Sequence, residues 1–177
     1  MERIVTPAPE SATGAAAAVF ANIQKAAGYV PNCYAAVGSL KPAALKAILQ
    51  ADGVLAASTL STRDKETVKL VVSEAAQCDY CIAAHSQLGA RAGLDPQDIL
   101  RIRAGEPTGD TKRDALVQFV RTLAGGRGTV SDAQFAAIKS AGYTDAQLVD
   151  ISLAMAITSF TNVFNRINDT PLDFPAD

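Results

Sequence analysis

The sequence predicts an all-α fold of about eight helices. Apolar residues recur every three or four positions, while the period-2 alternation typical of strands is nearly absent. Alanine, the strongest helix former, is abundant. Glycine, proline and capping residues divide the 177-residue chain into helix-sized segments. We therefore expect one domain over residues 1–177, with an N-terminal helical extension at about residues 10–58.

The N-terminal extension contains signals for two helices. The first is predicted from Thr13 to Ala27, with Gly28 ending it, and residues 28–32 are predicted to form a turn. The second is predicted to be capped by Ser39, to carry a proline in its first turn, and to end near Ala57.

Two helices are predicted in the next segment, residues 60–95. Ser61 is a candidate cap, with an acidic residue three positions later, for a helix over about residues 62–76. The second helix is predicted to carry Cys78 through Ala92 and to end at Gly93.

The C-terminal half begins with a strong helix start signal at Asp95-Pro96, a cap followed by proline at the first helical position. That helix is predicted to end at Gly105, before a polar linker. The other predicted helices cover about residues 112–124, 131–140 and 144–168, the last two opened by the capping boxes of Ser131 and Thr144, and the tail with Pro171 and Pro175 is predicted to be extended.

Composition excludes several classes of function. Apolar residues make up 49% and charged residues 19% of the chain, with a net charge of −2 and no basic stripe, which argues against nucleic acid as a partner. No signal peptide is recognisable at the N-terminus, and no run of 18 apolar residues exists to span a membrane. We therefore expect a cytoplasmic protein, where a close cysteine pair is more often catalytic or metal-binding than structural.

The pattern Cys78-x-x-Cys81-x-x-x-His85 is the strongest chemical signal, and it includes the only histidine of the chain. At about 100° per residue of helix, Cys78 and His85 differ by about 20° around the axis, with Cys81 within about 60° of both. Two thiols and an imidazole would then share one helix face. A thiolate is the reactive form of cysteine, so the pattern joins a nucleophile, a base and a second thiol.

The cysteine pair has three interpretations. A redox pair is favoured for two reasons. On a helix, residues three apart lie about 5–6 Å apart at Cβ, so a disulfide between them needs a local adjustment and is easily reduced. A helix N-terminus also favours a thiolate. A zinc site would need Cys33 as a fourth ligand beside Cys78, Cys81 and His85. Buried thiols acting as small apolar side chains are the third interpretation, and the best one for Cys33. A thioredoxin-like site is disfavoured because no strands are predicted.

Two carboxylates, Glu66 and Glu74, are near this motif in sequence. Either alone is ordinarily a solvated helix residue, and spacing does not choose between them. Glu74 would share the thiol face only if one unbroken helix ran through Gln77.

The motif resembles the alkylhydroperoxidase D-like, peroxidase-related branch of the carboxymuconolactone decarboxylase family. The resemblance is carried by Glu66, eleven residues, Cys78-x-x-Cys81 and His85, and by flanking segments at residues 28–32 and 161–165. It covers about residues 10–172. The chain departs from well-known members at Tyr80, where they carry histidine, and at Gln77, where glycine is frequent.

The resemblance implies an all-helical, cofactor-free and metal-free thiol peroxidase that forms a homo-oligomer, a trimer or hexamer. Cys81 matches the cysteine that attacks the hydroperoxide, and Cys78 matches its disulfide partner. His85 and Glu66 match the proton relay. The implied partners are a hydroperoxide substrate and an external dithiol or thioredoxin-like reductant.

Two alternatives stay open. A carboxymuconolactone decarboxylase-like enzyme would use His85 and Glu66 as acid and base without the thiols. A non-enzymatic redox or zinc-binding sensor would use the cysteine pair as its responsive element.

Overall fold

A computed structural model describes residues 2–173, which contain nine α-helices, one 3-10 turn at Pro9–Ser11 and no strand. The all-α prediction is confirmed. The helices are α1 Gly14–Ala27, α2 Asn32–Leu40, α3 Pro42–Ala56, α4 Thr62–Ala76, α5 Asp79–Arg91, α6 Pro96–Ala104, α7 Thr111–Gly125, α8 Asp132–Ser140 and α9 Asp145–Asn168.

Most predicted helix starts coincide with real caps. The Ser61 and Asp95 side chains accept backbone N–H groups at the starts of α4 and α6. Ser131 and Thr144 form complete capping boxes at the starts of α8 and α9. Of the predicted extended tail, Pro171 lies in a non-helical segment and Pro175 lies outside the described residues.

Helix α2 was not predicted, and the assignment of Ser39 as a cap was wrong. Ser39 lies in the last turn of α2, and Lys41 is the residue before α3. The α2 start has no side-chain cap of its own. Instead, the Asn32 N–H donates to Asp173 Oδ2 at 2.6 Å, so the cap comes from 141 residues away and leaves no local signal.

Helix α4 is the centre of the bundle, packed against α5, α7 and α9. Its Val68, Leu70 and Val71 side chains are almost completely buried in the main hydrophobic cluster. A second cluster joins the N-terminal helices to the cysteine motif, through Phe20, Val37 and Leu45 against Cys78 and Cys81. The N-terminal extension therefore forms one wall of the cysteine region.

Helix α9 is long and apolar enough to cross a membrane by length and composition alone. In the fold its inner face, including Ile151, Ala154 and Ile157, belongs to the main cluster. Its outer face remains apolar and exposed, with Val149, Phe160, Val163 and Ile167 in one stripe.

Candidate active site

The cysteine pair lies at a sharp break between α4 and α5. Gln77 adopts the left-handed conformation with φ of 52°, where a side chain is disfavoured and glycine is not. The Cys78 N–H donates a hydrogen bond to the Ser73 carbonyl, and Cys78 is the N-cap residue of α5. The helix predicted to include Cys78 thus begins one residue later, and Cys81 occupies its first turn.

The break brings the two sulfur atoms together. The Sγ atoms of Cys78 and Cys81 lie 2.7 Å apart, and both cysteines are free thiols. A disulfide requires about 2.05 Å between the sulfurs. Because Cys78 precedes the helix, its side chain is not held at helical spacing, and a small movement would join the pair.

The contact between the two sulfurs shifts the pKa values of the thiols in opposite directions. The hydrogen bond between Cys78 and Cys81, opposed by burial and aided by the Cys81 backbone N–H, lowers the pKa of Cys78. The same bond and burial raise the pKa of Cys81. A thiolate in this pair is therefore stabilised by the neighbouring thiol and by the N-terminus of α5.

His85 is paired with Glu66 from the neighbouring helix. Its Nδ1 lies 2.9 Å from Glu66 Oε2. A carboxylate only accepts hydrogen bonds, so Nδ1 carries the proton and Nε2 is left to exchange one with a substrate. This contact arises from the packing of α4 on α5 and places Glu66 beside His85.

Glu66 is held ionised although it is only 7% exposed. Burial raises its pKa, but the hydrogen bond and charge of His85 and the charge of Lys69 more than offset this, so the pKa of Glu66 is lowered. Lys69 lies 3.8 Å from Glu66 and 3.3 Å from Asp52, which completes a buried charge network.

The other candidate residues lie apart from this relay. Glu74 forms an ion pair with Arg103 on α6, and the break at Gln77 keeps it off the thiol face. The Tyr80 hydroxyl accepts the Cys33 N–H at 3.3 Å, so Tyr80 supports α2. Burial raises the pKa of Cys33 to about 12, which keeps it a thiol at neutral pH.

Two cavities reach the sulfur pair from different sides. A cavity of about 390 Å³ is lined by Cys81 and His85 and by the rings of Tyr29, Tyr34 and Tyr80. A smaller one of about 230 Å³ is lined by Cys78 and by the charged side chains of Asp79, Arg166 and Asp169. Although the cysteines are only 2% and 3% exposed, each therefore borders a cavity of its own.

Sequence reasoning missed Asn165 as a site residue. Its Nδ2 donates to Cys81 Sγ at 3.2 Å, and its side chain is 3% exposed. The signal was available: Asn162, Asn165 and Asn168 recur at intervals of three along the last helix. A repeated amide on a core-facing stripe is unusual, since buried polar groups require partners.

The zinc interpretation finds no geometric support in residues 2–173. Across that range, no group of three or more His, Cys, Asp or Glu side chains is arranged to hold a metal ion.

One protein-family model matches the part of the chain that contains the cysteine motif. Residues 42–116 match the model of the carboxymuconolactone decarboxylase family. No curated protein matches the chain significantly.

Three solved structures share the fold over almost the whole chain. The alkylhydroperoxidase AhpD core of an uncharacterized peroxidase-related protein from Ralstonia eutropha JMP134 has a TM-score of 0.84 at 20% identity, covering 97% of this chain and 92% of that one. An uncharacterized peroxidase-related protein from Silicibacter sp. TM1040 has a TM-score of 0.81 at 21% identity, and the match covers 96% of this chain and 91% of that one. The debrominase Bmp8 has a TM-score of 0.81 at 19% identity, and the match covers 98% of this chain and 93% of that one. That structure is a cysteine-to-alanine variant in complex with 2,3,4-tribromopyrrole.

The family match includes Glu66, both cysteines of the motif and His85, and the fold extends the likeness to the helices on either side. Residues 42–116 thus resemble the carboxymuconolactone decarboxylase family, and the chain shares the all-helical fold of the alkylhydroperoxidase AhpD core and of a second peroxidase-related protein.

Proposed function

We propose that this protein is a thiol-dependent peroxidase that reduces hydroperoxides through Cys78 and Cys81. The observation that carries the proposal is the pair of sulfurs 2.7 Å apart, with Cys81 lining the same cavity as the His85–Glu66 pair. Nucleophile and proton carrier are then available to one small substrate, and the second thiol is in contact with the nucleophile.

In the first step, His85 Nε2 takes the proton of Cys81, and the Cys81 thiolate attacks the outer oxygen of the hydroperoxide. The O–O bond breaks, sulfur is oxidised to a sulfenic acid, and the inner oxygen leaves as an alkoxide. His85, carrying a proton stabilised by Glu66, protonates that oxygen to an alcohol. Cys81 and His85 line the same cavity, so the proton moves between them across that cavity.

In the second step, the Cys78 thiol attacks the Cys81 sulfenic acid. Its proton leaves with the hydroxyl group as water, and the disulfide forms. An external dithiol or thioredoxin-like reductant then attacks the disulfide through a mixed-disulfide intermediate. The polar cavity at Cys78 supports reductant access from that side, while substrate occupies the cavity at Cys81.

The decarboxylase-like alternative uses His85 and Glu66 without sulfur. It gives no role to two thiols 2.7 Å apart, one of which lines the substrate cavity, so the geometry favours the peroxidase.

Reductive dehalogenation is a second candidate. The cavity beside Cys81 is lined by three tyrosine rings, which suit a flat halogenated ring, and the similar structure of a debrominase binds a brominated pyrrole. Cys81 would take the bromine as a sulfenyl bromide while the ring carbon gains a proton. Cys78 would then displace bromide and form the same disulfide.

We expect Cys81→Ser to abolish hydroperoxide consumption in an assay with excess dithiothreitol, because the attacking sulfur is gone. In the absence of dithiothreitol, Cys78→Ser should complete one oxidation and accumulate a sulfenic acid detectable by mass spectrometry. Glu74→Gln is the control. Glu74 lies on α4 like Glu66 but is paired with Arg103 outside the relay, so this variant should keep the wild-type rate. Wild-type turnover by Cys81→Ser would contradict the assignment.

We expect Glu66→Gln to slow hydroperoxide reduction about tenfold, because neutral glutamine no longer stabilises a protonated His85.

Since the folded pKa of Glu66 is lowered, its carboxylate stabilises the fold above its unfolded pKa of about 4.3, and this contribution is lost as the pH falls through the folded value. Urea unfolding should show a wild-type advantage over Glu66→Gln at pH 7 that shrinks toward pH 3. An advantage independent of pH would contradict the charge network.

The dehalogenation candidate is tested by bromide release from a brominated pyrrole in the presence of dithiothreitol. We expect release by the wild type and none by Cys81→Ser. Efficient peroxide turnover without any bromide release would restrict the protein to the peroxidase reaction.

The apolar outer face of α9 supports a homo-oligomer, a trimer or hexamer as the resemblance implies. Val163 is 54% exposed in the isolated chain, and a charge there would be buried in such an interface. We expect light scattering to give several copies for the wild type and a smaller assembly for Val163→Glu, while Val5→Glu on the N-terminal segment leaves the mass unchanged. A wild-type monomer at tens of micromolar would contradict the proposal.

A further inference from the structure

We propose that Asn165 is a catalytic residue of this site, and this inference rests on the proposed thiol chemistry. Its amide N–H donates to Cys81 Sγ at 3.2 Å, so it contacts the reacting atom directly. Its Oδ1 is buried and has no hydrogen-bond partner among residues 2–173. The amide Nδ2 thus binds the sulfur, and Oδ1 is left without a hydrogen-bond partner in that range.

The donor end stabilises the Cys81 thiolate. A hydrogen bond to an ionised sulfur is stronger than one to a neutral thiol, so the contact favours the form that attacks. Burial raises the pKa of Cys33, and the Asn165 amide acts against that shift, so the amide lies close to this second sulfur as well. An NH₂ group facing two sulfurs fixes the amide orientation, since a thiolate only accepts hydrogen bonds.

The acceptor end suits the hydroxyl hydrogen of a hydroperoxide. Asn165 lines the cavity that holds Cys81 and His85. The outer oxygen of a hydroperoxide keeps its hydrogen when it is transferred to sulfur, so one acceptor serves the substrate before the O–O bond breaks and the sulfenic acid afterwards. Because Oδ1 is buried and makes no hydrogen bond to residues 2–173, it can accept a hydrogen bond from a substrate group.

The neighbours of Asn165 hold its position on α9. One turn before it, Asn162 donates to the Val72 carbonyl and accepts from Ser73, which secures the end of α4. One turn after it, Asn168 accepts from the Ile4 N–H and donates to Thr170. Both outer amides use both of their polar atoms on the fold, and Asn165 alone of the three has an unpartnered oxygen in the described range.

Several charged or titratable groups surround the sulfur pair on other elements, and these stay unchanged in the test. Asp79 on α5 raises the pKa of Cys78 and Arg166 on α9 lowers it, while Cys33 on α2 and Asp173 in the tail act on the same region. A change at Asn165 therefore has to be compared with a variant that keeps all of them.

The first test is Asn165→Asp, which preserves shape but removes the donor and adds a negative charge beside Cys81. In a Cys78→Ser background, formation of the Cys81 thiolate is followed by absorbance at 240 nm, and its reactivity by iodoacetamide at pH 7. We expect the titration midpoint to rise by about one pH unit or more and alkylation to slow about tenfold. Asn162→Asp is the matched control, expected to lower thermal stability while leaving the thiol titration unchanged. A wild-type titration in Asn165→Asp would overturn the proposal.

The second test isolates the acceptor. Asn165→Leu and Asn165→Ala remove both polar atoms, and either suffices if the other fails to fold. Iodoacetamide has no hydroxyl hydrogen to donate, whereas a hydroperoxide has one. Relative to wild type, we expect the reaction with hydroperoxide to slow about tenfold more than the alkylation in the same variant. Equal slowing would overturn the role of Oδ1.

These measurements separate this inference from the proposed function. A wild-type protein that consumes no hydroperoxide overturns the peroxidase proposal, while the thiolate titration still tests the amide donor.

Discussion

The break between α4 and α5 is the constraint on which the site depends. Because Gln77 turns left-handed, α4 stops and the chain restarts at Cys78, which faces the first turn of α5 as an N-cap. A continuous helix would hold the sulfurs at the i, i+3 spacing of about 5–6 Å between Cβ atoms. The break lets them approach to 2.7 Å and gives Cys78 the helix N–H groups that favour a thiolate.

Polar groups buried around this break set its chemistry. Glu66 and His85 come from two packed helices and are paired 2.9 Å apart in a largely apolar environment. Lys69 keeps the carboxylate ionised there, because an unpaired buried charge is strongly disfavoured. Asn165 supplies the Cys81 contact from a third helix, so the site draws on α4, α5 and α9 together.

The two cavities give the buried pair two kinds of surroundings. The larger one is bounded mainly by aromatic and apolar side chains and contains the proton relay, which suits a small organic substrate. The smaller one is charged and borders Cys78. Their separation is consistent with one sulfur meeting the oxidant and the other meeting the reductant, as the proposed cycle requires.

The sequence by itself determined the all-α class, most helix boundaries and the residues of the motif, because helical periodicity, caps and cysteine spacing are local signals. It did not determine α2, whose cap comes from Asp173, or the choice between Glu66 and Glu74 without the family resemblance. The position of Asn165 against Cys81 was equally hidden, since the two are 84 residues apart. Only tertiary packing decides such contacts, because burial of the helix faces selects which distant side chains meet.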